Sequence, residues 1–213
     1  MLALVGSKVW YRNVGDGVFH CERCGGDRPY RRRSGRRWAH LFGIPLACVG
    51  DTGEHLRCTI CHTTYRVELL AVPTVDQMRA ALLAGTKAAV IAMLKVGGAG
   101  SHAARLRGIE MIRAAGASDY HDGRILAALA GLDDGSEDDG LAPGLRPALE
   151  AFAIQLENHA SEWFLAKVVE VGLADGPLTD DERAVAGTVA SYLGMSQAHG
   201  RDVITFTEEA AQA

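Results

Sequence analysis

Two Cys-x-x-Cys pairs constrain this chain more than anything else in it: Cys21-Glu22-Arg23-Cys24-Gly25-Gly26 and Cys58-Thr59-Ile60-Cys61. A two-residue gap lets one tight turn aim both thiolates at a single point, and two such turns complete a tetrahedral shell of four sulfurs. The glycines after Cys24 permit backbone conformations that a side chain resists. A four-cysteine shell has no open position, so it suits a structural Zn2+ rather than a catalytic one. The alternative is ordinary buried or redox thiols. A redox Cys-x-x-Cys, however, sits singly beside a βαβ pattern, and the sequence shows none. The 33 residues between Cys24 and Cys58 exceed the roughly 15 to 20 usual for this spacing, so a further strand pair is expected in the excursion. His20 and His62 adjoin ligands but lie outside the knuckle register, which gives them supporting or surface roles. The fifth cysteine, Cys48, lies inside the apolar run Phe42-Gly43-Ile44-Pro45-Leu46-Ala47-Cys48-Val49 and reads as a small buried hydrophobe.

All five cysteines precede residue 62, whereas the remainder of the 213 residues turns to long alanine- and leucine-rich runs. The change falls near Ala71-Val72-Pro73-Thr74 and divides the chain into a head, 1–73, and a body, 74–213. With 48% hydrophobic residues the chain has enough apolar material for a sizeable core, which excludes disorder as an overall description. The net charge of -4 points to neither a nucleic-acid coat nor an acidic tail, but it is an average. The head carries 11 basic and 6 acidic residues, the body 11 basic and 20 acidic. The opening MLALVGSKV has no signal-peptide pattern, and no stretch reads as a transmembrane segment, so a cytoplasmic protein is expected.

The head reads as β-rich, with a hairpin expected where Val9-Trp10-Tyr11-Arg12 and Val18-Phe19-His20 flank Asn13-Val14-Gly15-Asp16-Gly17. The body reads as all-helical. Thr74 with Gln77 opens a helix over 75–96, Ser101 one over 102–115, Ser118 one over 119–130, and Thr179 with Glu182 forms a capping box. A long periodic segment from Arg146 to Val171 supplies a central helix, and Ser196 caps a last one to about Glu209. An acidic, glycine-punctuated loop, 131–140, precedes the central helix. The expected core stripes are Leu82, Ala89, Val90, Met93 and Leu94 against Trp163, Phe164, Val168 and Val171. A weak internal repeat aligns Ile91–Gly97 with Ala166–Gly172, each closing a helix at glycine.

Between the knuckles, Arg28, Arg31, Arg32, Arg33, Arg36 and Arg37 are followed by Trp38. Guanidinium forks suit phosphate oxygens, and Trp38 offers a stacking surface, which admits a nucleic-acid partner. Solvated arginines docking on the acidic body, or a protein or membrane-surface partner, explain the same run.

Asp175, Asp180, Asp181 and Glu182 place four carboxylates in eight residues around Gly176. Such oxygens suit Ca2+ or Mg2+. Equally, Asp175-Gly176 makes a turn, Thr179 and Glu182 a capping box, and Asp180-Asp181 complement a helix dipole. Ala174-Asp175-Gly176, Glu182 seven residues after the Asp, and Leu193-Gly194-Met195-Ser196 together resemble the tellurite-resistance TerB family over residues 76–210. The resemblance implies two similar helical halves and acidic residues involved in divalent-metal binding, carried here by Asp175 and Glu182 with Asp180 and Asp181 as optional ligands. The first half departs from this pattern, because Gly97-Gly98-Ala99-Gly100-Ser101-His102 has no acidic residue. The head is similar to zinc-ribbon modules.

His159 and Glu162 share a helix face at a spacing used for metal ligands, but as a single pair they read as surface residues. No nucleophile elbow, phosphate-binding glycine loop or His-Glu-x-x-His is present. The expected fold is α+β, a small four-cysteine zinc ribbon followed by an all-α TerB-like bundle. The expected function is a non-enzymatic zinc-binding adaptor of metal or chemical stress, with an unidentified protein partner. A nucleic-acid-binding ribbon is the alternative.

Overall fold

A computed structural model of the chain describes residues 5–42, 44–131, 144–153 and 156–212. The chain divides into two compact units, Met1–Gln77 and Met78–Ala213. The architecture is α+β, with an antiparallel four-stranded sheet first and α-helices after it.

The first unit is a meander of order β1-β2-β3-β4, formed by Val5–Cys21, Gly26–Leu41, Ile44–Cys58 and Thr64–Tyr65. β2 and β3 fill the excursion between the knuckles. The expected hairpin at Asn13–Gly17 is corrected: β1 runs straight through it, and the register shifts by one residue between Asn13, opposite Arg33, and Gly15, opposite Arg32. The turn-forming residues supply a β-bulge at Val14, because β2 pairs along the whole of β1 and holds the strand extended. This sheet has one layer over most of its length. Its buried cluster is Phe19, Cys21, Leu56 and Cys58, at the knuckle end. Phe19 meets Tyr30 and Tyr65 edge-on, with ring centroids 5.6 and 5.4 Å away. Cys48 is exposed rather than buried, as are Phe42, Ile44, Leu46 and Val49 beside it. Apolar residues on a strand are buried only where a second layer covers them, and among the described residues none covers these.

The second unit contains α1 (Val75–Met93, which begins in the first unit), α2 (His102–Ala114), α3 (Asp122–Ala130), α4 (Leu145–Ala153), α5 (Asn158–Gly172), α6 (Asp180–Tyr192) and α7 (Gln197–Gln212). The caps place several starts where side-chain oxygens accept from the first turn. Gln77 N–H donates to Thr74 Oγ1 at 3.2 Å, and Ala104 N–H to Ser101 Oγ at 3.2 Å. His199 N–H donates to Ser196 Oγ at 3.2 Å. Ser118 does not cap α3, which starts later with His121 at its N-cap. The expected central helix divides into α4 and α5. Of the acidic stretch 131–140, all but Gly131 lies outside the described residues.

Ala89, Val90, Met93, Leu94, Phe164, Val168 and Val171 are buried in one cluster to which all seven helices contribute. Leu82 packs partly against it. Trp163 is 56% exposed, contrary to expectation, with Lys167 Nζ 6.0 Å from its ring centre. Phe164, Leu165, Val168 and Val169 already occupy the inward face of α5, which leaves Trp163 on its outer flank. One helical stretch, Val67–Gly98, has the length and apolar composition of a membrane-crossing helix, and its residues Ala89–Leu94 lie in the core of the second unit.

Candidate metal centre

The first knuckle turns through Glu22–Cys24 and closes with the Gly25 N–H donating to the Glu22 carbonyl at 3.2 Å. In the second, the Cys58 N–H donates to the Thr63 carbonyl at 3.0 Å. Both knuckles follow their second cysteine with a left-handed residue, Gly25 at φ 64° and His62 at φ 60°. This shared reversal turns each chain end back toward the sheet and leaves the thiols facing one point. One ligating sulfur from each of Cys21, Cys24, Cys58 and Cys61 lies within 4.8 Å of the others. Among the described residues this is the one group of three or more His, Cys, Asp or Glu side chains gathered so closely.

The donor set fits zinc. Cys21 and Cys61 Sγ are 3.7 Å apart, and Zn–S bonds of about 2.3 Å in a tetrahedron give sulfur–sulfur edges of about 3.8 Å. Cys21 and Cys58 are fully buried at the floor, with Cys24 and Cys61 half-buried above. Four sulfurs close the shell and leave no ligand position for water or substrate.

The thiols do not ionise alike. Burial pushes the Cys24 pKa up to about 12, and contacts with the thiols of Cys61, Cys21 and Cys58 add to the rise. Cys61 is brought down to about 6, chiefly by hydrogen bonds from the Thr63 side chain and backbone. Burial, the largest influence on Cys21, acts to raise it, but the Tyr65 hydroxyl 3.3 Å away and the Cys24 backbone outweigh this, so its pKa is lowered. Tyr65 is raised in turn by the same bond to Cys21 and by burial. Neighbouring thiolates repel, and a divalent cation among them removes that obstacle to full ionisation.

Tyr65 and Thr63, which bond the thiols of Cys21 and Cys61, are neighbours of the cluster that sequence reasoning missed; their signal was their place just after the second knuckle. His20 is no ligand, its Nδ1 lying 3.3 Å from Asp27 Oδ1, and His62 is exposed.

The other expected site residues are placed differently. Glu182 is buried, and its Oε2 accepts from the Thr179 N–H and hydroxyl, each at 2.8 Å, while its own N–H donates to Thr179 Oγ1 at 3.3 Å. The capping-box reading is therefore the arrangement observed. Asp175, Asp180 and Asp181 are exposed, and the structure does not gather them with Glu182 into a ligand set. His159 and Glu162 are 3.8 Å apart on the surface, where Glu162 also pairs with His199 at 2.8 Å.

The arginine run does not form one patch. β2 alternation places Arg31 and Arg33 on one face and Arg28 and Arg32 on the other. Arg32 is bound to Glu54, and Arg28 donates to the Asp27 carbonyl at 2.9 Å. Beyond the register shift, Arg36 stands opposite Asp51, Arg37 opposite Gly50, and Trp38 opposite Cys48. No protein family, curated protein or solved structure matches the chain.

Proposed function

We propose that Cys21, Cys24, Cys58 and Cys61 hold one structural zinc ion, and that the chain is a non-enzymatic adaptor whose ribbon and helical unit each dock a partner. The observation that carries this reading is the closed four-sulfur cluster, with every donor within 4.8 Å of the others. When bound, zinc supplies a crosslink that ties the β1–β2 turn to the end of β3. The chain's residues do the rest: Tyr65 steadies the Cys21 sulfur, Thr63 steadies Cys61, and Phe19 and Leu56 shield the floor. A closed shell of four thiolates supports a structural rather than a catalytic role.

A place in the response to metal or chemical stress of the tellurite type rests on the resemblance of Ala174-Asp175-Gly176, Glu182 and Leu193-Gly194 to the TerB family. The fitting experiment measures zinc per chain and captures partners on the same purified protein. One zinc per chain, lost in Cys21→Ser/Cys24→Ser together with capture of a defined protein, is the expected result. Stoichiometric zinc in the double variant would sink the metal assignment.

A further inference from the structure

Zinc leaves one feature of the ribbon unexplained. Arg31 and Arg33 share a face of β2, and Arg57 stands directly opposite Arg31 on β3. Like charges facing each other across a ladder destabilise it. Among the described residues no carboxylate forms an ion pair with Arg31, Arg33 or Arg57, since Glu54 is taken by Arg32. Asp16, opposite Arg31 on β1, lines an adjoining cavity together with Arg31 and Thr59 but forms no ion pair with Arg31. The three arginines form a cavity of about 280 Å3 with Cys58, Thr59 and His62. Arg33 keeps a buried Nε that has no hydrogen-bond partner, an arrangement that folded proteins generally avoid. His62 adds a second cost. It holds the left-handed position that glycine fills in the first knuckle, and a side chain there is unfavourable.

We infer that this cavity binds a phosphate group. Each guanidinium presents a planar fork that matches two phosphate oxygens, and three permanent positive charges call for a multiply charged anion rather than a carboxylate. The cavity falls just short of the roughly 300 to 1,000 Å3 of a site for a whole small molecule, so it takes the phosphate and the first atoms that bear it. A nucleic-acid strand and a small phosphoester present the same oxygens. The inference rests on the zinc reading, because the second knuckle carries Thr59 and His62.

Full-length, zinc-loaded protein is titrated with inorganic phosphate by calorimetry and with a labelled single-stranded oligonucleotide by anisotropy, with zinc per chain measured on every sample. Saturable binding that weakens with rising salt is expected. Arg57→Ala and Arg31→Ala each weaken it about tenfold or more, and His62→Gly weakens it without loss of zinc. Arg36→Ala, at an exposed ribbon arginine outside the cavity, leaves it unchanged. Oligonucleotide binding that phosphate displaces identifies a strand as the source, whereas phosphate binding alone identifies a small phosphoester. Failure of both probes on fully zinc-loaded protein overturns the site, as does an Arg36→Ala loss equal to that of Arg57→Ala. Protein that takes up no zinc overturns the metal reading instead, and phosphate binding by that protein shows that the cavity forms without the metal.

Discussion

In the ribbon the buried cluster consists of Phe19, Cys21, Leu56 and Cys58, so half of it is thiol. In the helical unit the buried cluster is continuous and draws on every helix, from Ala89 in α1 to Ile204 in α7. Each unit offsets the entropy of folding in its own way. Helices pack inward faces on one another and bury apolar area from all sides. Among the described residues the sheet has no facing layer, so the proposed zinc crosslink at one end takes the part that a core plays in the helical unit.

The strongest attempt to break this contrast is metal removal. Chelation, or Cys21→Ser/Cys24→Ser, should abolish amide-exchange protection in the ribbon and leave the helical signal in circular dichroism intact. Structural zinc is worth about 10 to 16 kcal/mol of apparent binding energy in small modules. Because the ligands must be deprotonated, acidification should release the metal and the ribbon with it. A ribbon that stays protected would show that the sheet needs no crosslink.

The converse substitution is Leu165→Ala, at a fully buried position of α5. It should cost the helical unit about 2 to 5 kcal/mol in urea unfolding without changing zinc content. Loss of zinc would mean that the two units do not fold independently.

Gly97→Ala sharpens the picture within the helical unit. A Cβ there would stand 2.0 Å from Glu182 Oε1, and Glu182 is already held by the Thr179 cap. The carboxylate must leave the cap or the backbone must move, at a cost of about 1 to 3 kcal/mol. Thr179→Ala in the same background should then cost less than in the wild type, because the cap is already weakened.

The smallest effect concerns Glu170. Burial acts to raise its pKa, but hydrogen bonds and charge from Lys167 and Arg107 outweigh it and hold the carboxyl below its ordinary range. A carboxyl depressed in the folded state contributes stability above its unfolded pKa of about 4.3, and that contribution is lost as pH falls through the lower folded value. Glu170→Gln should therefore lose up to about 1 kcal/mol at neutral pH and little or nothing in strong acid. Equal losses at both would show that the ion pairs contribute nothing.

The parts of the fold legible in the sequence were those set by local chemistry. Cys-x-x-Cys spacing specifies a metal-like cluster whatever surrounds it, and the caps at Thr74, Ser101, Thr179 and Ser196 depend only on neighbouring atoms. What failed depended on distant partners. Asn13–Gly17 reads as a turn until β2 is seen to pair on both sides of it. Cys48 and its apolar neighbours read as core until the absence of a covering layer is known. Arg57 stands far from the arginine run in sequence, and only the β2–β3 register sets it opposite Arg31.

The bulge at Val14 has a consequence for how the ribbon behaves in crowded solution. β1 is an edge strand of 17 residues, and a long regular edge offers its unpaired amides and carbonyls to any passing extended chain. One extra residue near its middle breaks that row into two shorter runs with different alternation. An incoming strand in register with one half is out of register with the other, so the irregularity guards the sheet against growing by strand addition.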